Sequence, residues 1–370
     1  MSKISAPIYL PVDKYGNGPA ILAYSVMQDA VYVLGEGYLG IVAVGFNGDR
    51  LKSSVKVDPG LTALCTEPET SWGFSAYRTE LMPNLEVDAL ASQGFKQAST
   101  IDVPELPLVA GEVYDVPWVN YDADNNEVYY CIGAGGMSDA GTFAGFVIID
   151  AKTRKYKRQI DLSKSNFDIL ATSRPSVSRL RKIFVSNGFH VPGVNGKSAV
   201  FCIDDRDDAT VSSIVMPDIA GKPVDYVSGT VVDNNQDILY VVCVADSSTD
   251  YTAQSTIHAF DIKNGNAYLA SSPVYDQPLE MPVLNVEKKI LYLVSQTASN
   301  PAVEAAMLLV SLDLKTMTVV NQIELPNDAP ISSMIHLTRS GRVGLTTSKD
   351  PVPSDTRIPT FLIVDHPEQP

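Results

Sequence analysis

The strongest constraint on this chain is internal repetition. Residues 225–274, DYVSGTVVDNNQDILYVVCVADSSTDYTAQSTIHAFDIKNGNAYLASSPV, read as four short apolar strands separated by polar turns. Weaker copies recur along the whole sequence. The template opens on an acidic or Asn residue and a first strand. A turn rich in Asp, Asn, Lys or Arg leads to an aromatic-bearing apolar strand. A variable loop precedes a third strand ending near Asp, and a further turn precedes a fourth ending near Pro. Apolar alternation with β-branched and aromatic enrichment between turn residues marks each strand.

Seven copies can be aligned. They run from residue 21 to 58, from Gly60, from Val116, from Asp168, from Asp225, from Leu279 and from Ser332. The second is the least regular, and its 82–95 excursion is expected to include a helical turn. Residues 301–306 are expected to form a short helix in the sixth. The seventh stops after three strands. The N-terminal ISAPIYLPVD, residues 4–13, resembles the fourth-strand endings NQIELPND and STIDVPEL. It is therefore expected to supply the missing strand. A period of roughly 50 residues lies in the range of propeller blades, and closure of such a ring protects the sheet edges. The prediction is an all-β, seven-bladed β-propeller closed by the N-terminal strand in the last blade. It spans residues 1–370 as one domain, with six blades and one large insertion as the alternative.

The DNNQDILYVV strand followed by HAFDIKNGN resembles the YVTN or YncE-like propellers over the whole chain. The Gly-His and Trp-Asp signatures of WD40 repeats are absent. The only two Trp, at 72 and 118, are too few for a Trp-lined sugar lectin. The order GLTALCTEPETSWGFSAY, a long loop and a DVP-started blade is similar to fungal propellers that include a Malassezia allergen. It is also similar to the accessory propeller encoded with trichothecene toxin biosynthesis. That resemblance implies six blades and an accessory role in sesquiterpenoid mycotoxin production or virulence, with a terpenoid ligand.

Charge excludes some functions. The formal net charge is −15 with only 28 Lys and Arg, which argues against nucleic acid, because phosphate binding needs clustered cations. No apolar run approaches the roughly 20 residues that span a bilayer. The first nineteen residues show no basic segment followed by an apolar core, so no secretory leader is expected. Cys65, Cys131, Cys202 and Cys243 fall in strand-like runs of different copies and are expected as free buried thiols in a reducing cytoplasm.

Two sets of candidate site residues emerge. An acid precedes the first strand of five copies: Asp58, Asp115, Asp168, Asp225 and Glu280, with Asn17 and Asp328 nearest in the others. Ringed around a channel mouth they would hold a hard divalent cation such as Ca²⁺; as turn residues they would satisfy backbone N–H groups. Lactonase propellers of the gluconolactonase type use Glu, Asn and Asp for this purpose. Glu112, Asp115, Asn120, Asp225 and Glu280 match by residue type only. The second set is apolar: Trp118, Tyr121, Tyr226, Ser228 and Met281, with Pro117, Tyr24 and Gly229 nearby. A channel lined this way suits a small apolar or amphipathic molecule, although packing of blade against blade explains the same residues. The four His are scattered without metal-ligand spacing. Gly133–Gly136 is followed by a second turn and strand rather than a helix N-terminus, so it makes no phosphate cradle. The basic stretch 152–158 reads as a solvated face. Three functions remain open: a small-molecule-binding accessory propeller, a metal-dependent hydrolase or lactonase, and a protein-interaction scaffold.

Overall fold

The computed structural model describes residues 3–11, 21–35, 37–45, 48–57, 61–68, 70, 72–77, 87–91, 96–104, 106, 114–134, 143–163, 174–186, 198–206, 210–245, 253–296, 307–326, 331–347 and 359–369. Among these the regular secondary structure is all β, and no helix is long and apolar enough to cross a membrane. The strands sort into seven sheets.

The chain opens with β1 (Lys3–Ile4) and β2 (Ile8–Tyr9). Six four-stranded antiparallel meanders follow in sequence. The first is β3 (Ile21–Ser25), β4 (Ala30–Gly35), β5 (Tyr38–Ala43) and β6 (Arg50–Lys56). The second is β7 (Leu61–Thr66), β8 (Trp72–Tyr77), β9 (Val87–Ala91) and β10 (Lys96–Ile101). The third is β11 (Tyr114–Asp122), β12 (Glu127–Ala134), β13 (Gly145–Asp150) and β14 (Lys155–Asp161). The fourth is β15 (Ser176–Ser178), β16 (Lys182–Ser186), β17 (Ala199–Asp204) and β18 (Thr210–Val215). The fifth is β19 (Tyr226–Asp233), β20 (Ile238–Ala245), β21 (Gln254–Asp261) and β22 (Ala267–Ser271). The sixth is β23 (Glu280–Asn285), β24 (Ile290–Gln296), β25 (Met307–Asp313) and β26 (Thr318–Glu324).

The seventh sheet is composite. It joins β27 (Ile331–Leu337), β28 (Arg342–Thr347) and β29 (Thr360–Asp365) to the N-terminal strands, which both pair with β29. Lys3 lies opposite Asp365 and Ile8 opposite Phe361. Ser5 N–H donates to Ile363 O at 2.8 Å and Leu10 N–H to Pro359 O at 2.9 Å. The chain thus supplies six complete blades in one run, not seven, and the remaining sheet needs both ends. The irregular second copy has all four strands. Val87–Ala91, inside the excursion expected to turn helical, is its third strand. Residues 301–306 lie outside the described residues.

The residues sort into two compact units. One comprises Met1–Ser5, Ala171–Gly344 and Ile363–Pro370; in it β15, β19, β23 and β27 are successive neighbours. The other comprises Ala6–Leu170 and Leu345–Leu362, and in it β3, β7 and β11 are neighbours. This stacking explains the burial pattern. Middle strands such as β4, β13 and β20 are buried almost without interruption, because neighbouring sheets cover both faces. Fourth strands such as β6 and β26 are alternating or exposed. Strict alternation therefore holds only at the outer edge.

Polar turns set the register. Asp122, Asp233 and Asn285 each close a first strand and accept a backbone N–H two or three residues on, at 3.0 to 3.1 Å. The turn then passes through a left-handed residue before the second strand: Asp29, Asn126, Arg181, Asp237, Lys289 or Gly341. Asp and Asn tolerate that conformation best, which is why these turns were visible in the sequence. Each sheet accordingly has a turn end, carrying these tight turns, and a loop end, where the first strand starts and the variable loops connect.

Ties between neighbouring sheets cluster at the turn end. Arg179 pairs with Asp237 at 2.7 Å and Lys289 with the fully buried Asp233 at 2.5 Å. The C-terminal segment is held in the same way. Ser311 Oγ and Asn321 Nδ2 donate to Pro367 O, both at 2.8 Å. Tyr292 OH and Lys288 Nζ donate to Glu368 at 3.1 and 2.5 Å.

Two histidines are enclosed by this packing. His258 on β21 is 3% exposed, neither ring nitrogen has a hydrogen-bond partner, and Phe260 and Tyr268 lie 6.4 and 6.0 Å away. Burial lowers its pKa from 6.5 to about 4. His336 on β27, 6.0 Å from Tyr292, is lowered to about 4 by burial first and Lys288 second, with Glu368 opposing. Between those values the unfolded chain binds the proton and the folded one does not. The stability these groups contribute is therefore complete above pH 6.5 and is lost as the pH falls towards 4. For His258 this amounts to about 3 kcal/mol at most. Urea unfolding at pH 7.5 and 4.5 should show a smaller loss in His258→Phe than in the wild type; equal losses would contradict this assignment.

Candidate functional site

The site is built where two first strands begin, at the loop end of β19 and β23, both in the first unit. Each strand carries a β-bulge there. Pairing with the second strand skips between Val227 and Gly229 in β19 and between Glu280 and Val283 in β23. The same irregularity falls between Leu61 and Ala63 in β7 and between Asp115 and Trp118 in β11. A bulge re-aims the side chains on either side of it and increases local twist. It also accommodates proline, which has no N–H for the ladder, so Pro117 and Pro282 both fall within one.

Around these bulges the structure brings together four of the predicted residues. Tyr226 OH donates to Glu280 Oε1 at 2.9 Å, and Ser228 Oγ donates to Leu279 O at 2.9 Å. Tyr226 is buried, whereas Ser228, Glu280 and Met281 are half-buried. Met281 has φ +52°, a conformation that is uncommon outside Gly, Asn and Asp. Next to it the backbones approach closely: a Cβ on Gly229 would lie 2.6 Å from Pro282 Cδ. Glycine at 229 is what lets the two bulges meet. The Ser-Gly and Met-Pro pairs were the sequence signal for this junction, but a one-residue bulge hides which side chain faces which neighbour.

The other predicted residues stand elsewhere. Trp118 follows the β11 bulge and is half-buried. Tyr121 sits at the turn end of β11, where its hydroxyl donates to Glu67 Oε1 at 3.4 Å and ties β11 to the second sheet. Burial first, then the Glu67 charge, pushes its pKa up to about 12. Of the acids, Asp225 is exposed and its backbone N–H donates to Val244 O at 3.0 Å, as a strand-opening residue does. Asp115 lies within β11 opposite Gly133 rather than before the strand. Asp58, Asp168, Asn17, Asp328, Glu112 and His190 lie outside the described residues, as do Gly135 and Gly136. Gly133 and Ala134 belong to β12. No group of three or more His, Cys, Asp or Glu that could hold a metal ion occurs among the described residues.

Two further points concern reactive groups. Cys65, Cys131, Cys202 and Cys243 are all free and buried, and burial raises the pKa of Cys131, Cys202 and Cys243. The basic stretch is not simply a solvated face. Lys157 and Arg158 reach over β13 to Glu127, whose side chain is fully buried; Arg158 makes two hydrogen bonds of 3.0 and 2.9 Å, and Tyr129 adds one of 2.7 Å.

No family model matches the chain, and no curated protein sequence matches it. Solved structures do. Hydrazine synthase of Kuenenia stuttgartiensis is similar with a TM-score of 0.62 at 12% identity, over 89% of this chain and 92% of that one. The fold is of the β-propeller type. At this identity the likeness reaches the architecture alone, and the site must be argued from its own residues.

Proposed function

We propose that the chain is a small-molecule-binding β-propeller with an accessory rather than catalytic role. Its seven sheets are read as blades of one domain, six continuous and one sealed by the N-terminal strands. The ligand is an apolar or amphipathic molecule, and a terpenoid fits both this chemistry and the resemblance to the fungal accessory propellers of trichothecene biosynthesis. The observation that carries the reading is the junction of the two bulges. There a strained Met281, Pro282 and the Tyr226–Glu280 pair gather at the loop end of adjacent first strands. Bulges and residues held in sparsely populated backbone conformations cluster at ligand sites. Met supplies an adaptable apolar contact, and Tyr and Ser supply orientation.

The reading is tested by thermal unfolding in the presence of sesquiterpenoids, their lactones and linear amphiphiles. A ligand that binds only the folded state at 100 times its Kd adds about 2.7 kcal/mol of stability, a rise of a few degrees in Tm for a chain of this size. A saturable rise with at least one such compound is expected. A flat response across the set would overturn the proposal.

A further inference from the structure

We infer that the turn between β13 and β14 binds an oxyanion, the phosphate or carboxylate group of a small molecule, on the guanidinium of Arg154. This second site lies in the unit formed by Ala6–Leu170 and Leu345–Leu362, and it does not depend on the ligand reading at the β19–β23 junction.

Arg154 is held in a conformation that does not suit it. It precedes β14 with φ +58°, and its backbone N–H donates to Asp150 O at 2.8 Å. That left-handed region is uncommon for residues other than Gly, Asn and Asp. Asn266 and Met317 hold the same place before β22 and β26. Asn tolerates the conformation, and Met317 is 8% exposed within an apolar cluster. Arg154 instead lays its guanidinium over Trp72 of β8, 3.1 Å from the ring centroid. The stack fixes the orientation of the planar group. Yet none of its five N–H donors has an acceptor among the described residues, and Nε is buried without one. An oriented guanidinium with unanswered donors is matched by a carboxylate or a phosphate, which it can hold through two parallel hydrogen bonds.

The surroundings favour an anion even though the chain carries a formal net charge of −15. Lys157 and Arg158 are held by Glu127. Lys152 and Lys155, which flank Arg154, are exposed and make no ion pair among the described residues. The neighbouring acids are already engaged. Asp150 accepts from Thr153 N–H and Oγ1 at 2.7 and 2.9 Å. Glu67, whose N–H donates to Trp72 O at 3.0 Å, accepts from Thr70 Oγ1 at 2.8 Å and from Tyr121 OH at 3.4 Å. Neither acid pairs with Arg154, so the turn keeps a local excess of positive charge.

The probes are inorganic phosphate and acetate, titrated into the full chain at an ionic strength held constant with chloride. Trp72 reports directly, because the chain has only two Trp and Trp118→Phe leaves Trp72 as the sole indole. A saturable change in its fluorescence is expected with both anions, at lower concentration for the more highly charged phosphate. Calorimetry on the wild type gives the same reading without a fluorescence variant. Arg154→Gly should weaken binding by calorimetry at least about tenfold. Glycine suits the left-handed position, so this variant keeps its fold, which an undiminished Tm verifies. Lys52→Gln, on the exposed outer strand β6, removes an equal charge and should bind as the wild type does. Binding of phosphate alone would assign the site to a phosphorylated ligand, and binding of acetate alone to a carboxylate. A response that only rises linearly with concentration, which is general ion screening, would overturn the inference, as would equal affinity in Arg154→Gly. Neither result bears on the β19–β23 junction, whose test is the Tm response to apolar compounds.

Discussion

Replacing Glu127 with alanine should destabilise the protein by about 3 kcal/mol, and with glutamine by about 2 kcal/mol. Burial alone would raise the pKa of this carboxyl. Hydrogen bonds from Arg158, Lys157 and Tyr129 outweigh it and bring the pKa to about 2. A fully buried carboxylate is stable only while these partners remain, and removing it leaves two cations converging on an apolar sheet. Lys157 and Arg158 are 37% and 25% exposed, so their heads can turn to water, which keeps the loss below the larger values seen for fully enclosed pairs. The sign of the acid dependence follows. The stabilisation is complete above pH 4.5 and is lost as the pH falls through about 2. Urea unfolding at pH 7 measures the effect as a drop in midpoint with unchanged slope. A loss under about 0.5 kcal/mol for the alanine variant would contradict the account of this cluster.

Deleting residues 1–11 should have the largest effect of any short truncation. Ile8 and Leu10 are 9% and 4% exposed, and burying two such side chains contributes about 4 kcal/mol. The deletion also strips β29 of its partners on one edge, leaving it paired with β28 alone. That strand, TFLIVD, is buried at five of its six positions, and with its outer edge uncovered it becomes an apolar edge open to other chains. The variant is expected to be recovered as aggregate or as a much less stable monomer. Supplying residues 1–13 as a separate peptide should restore part of the lost Tm if strand pairing is the cause. A truncated protein that is monomeric with an unchanged Tm would show that the N-terminal strands are dispensable.

Much of the architecture was legible because the repeat is written in turn chemistry. Asp122, Asp233 and Asn285 accept backbone N–H groups in the turns that the sequence marked, and the apolar runs between them became strands. The N-terminal segment was recognisable as a displaced fourth strand because its alternation and terminal Pro match those endings. What the sequence did not yield was anything that depends on a single-residue shift. Bulges beside Ser228 and at Met281 change which way neighbouring side chains point, and no propensity signals them. The same limit hid Glu127. The stretch 152–158 looked solvated because only pairing across β12, β13 and β14 shows Lys157 and Arg158 above a buried acid. Likewise Tyr121, read beside Trp118 as lining one channel, lies three residues further on at the turn end of β11 and is occupied by Glu67.

The central claim is that a ligand binds at the junction of β19 and β23. It is tested most directly by NMR of the protein labelled at the methionine methyl groups, of which there are nine, with Met281 assigned by its loss in Met281→Leu. On titration with an apolar compound that raises Tm, the Met281 methyl resonance is expected to shift saturably. An unmoved Met281 signal under conditions where binding is measured by calorimetry would place the ligand elsewhere and contradict the account.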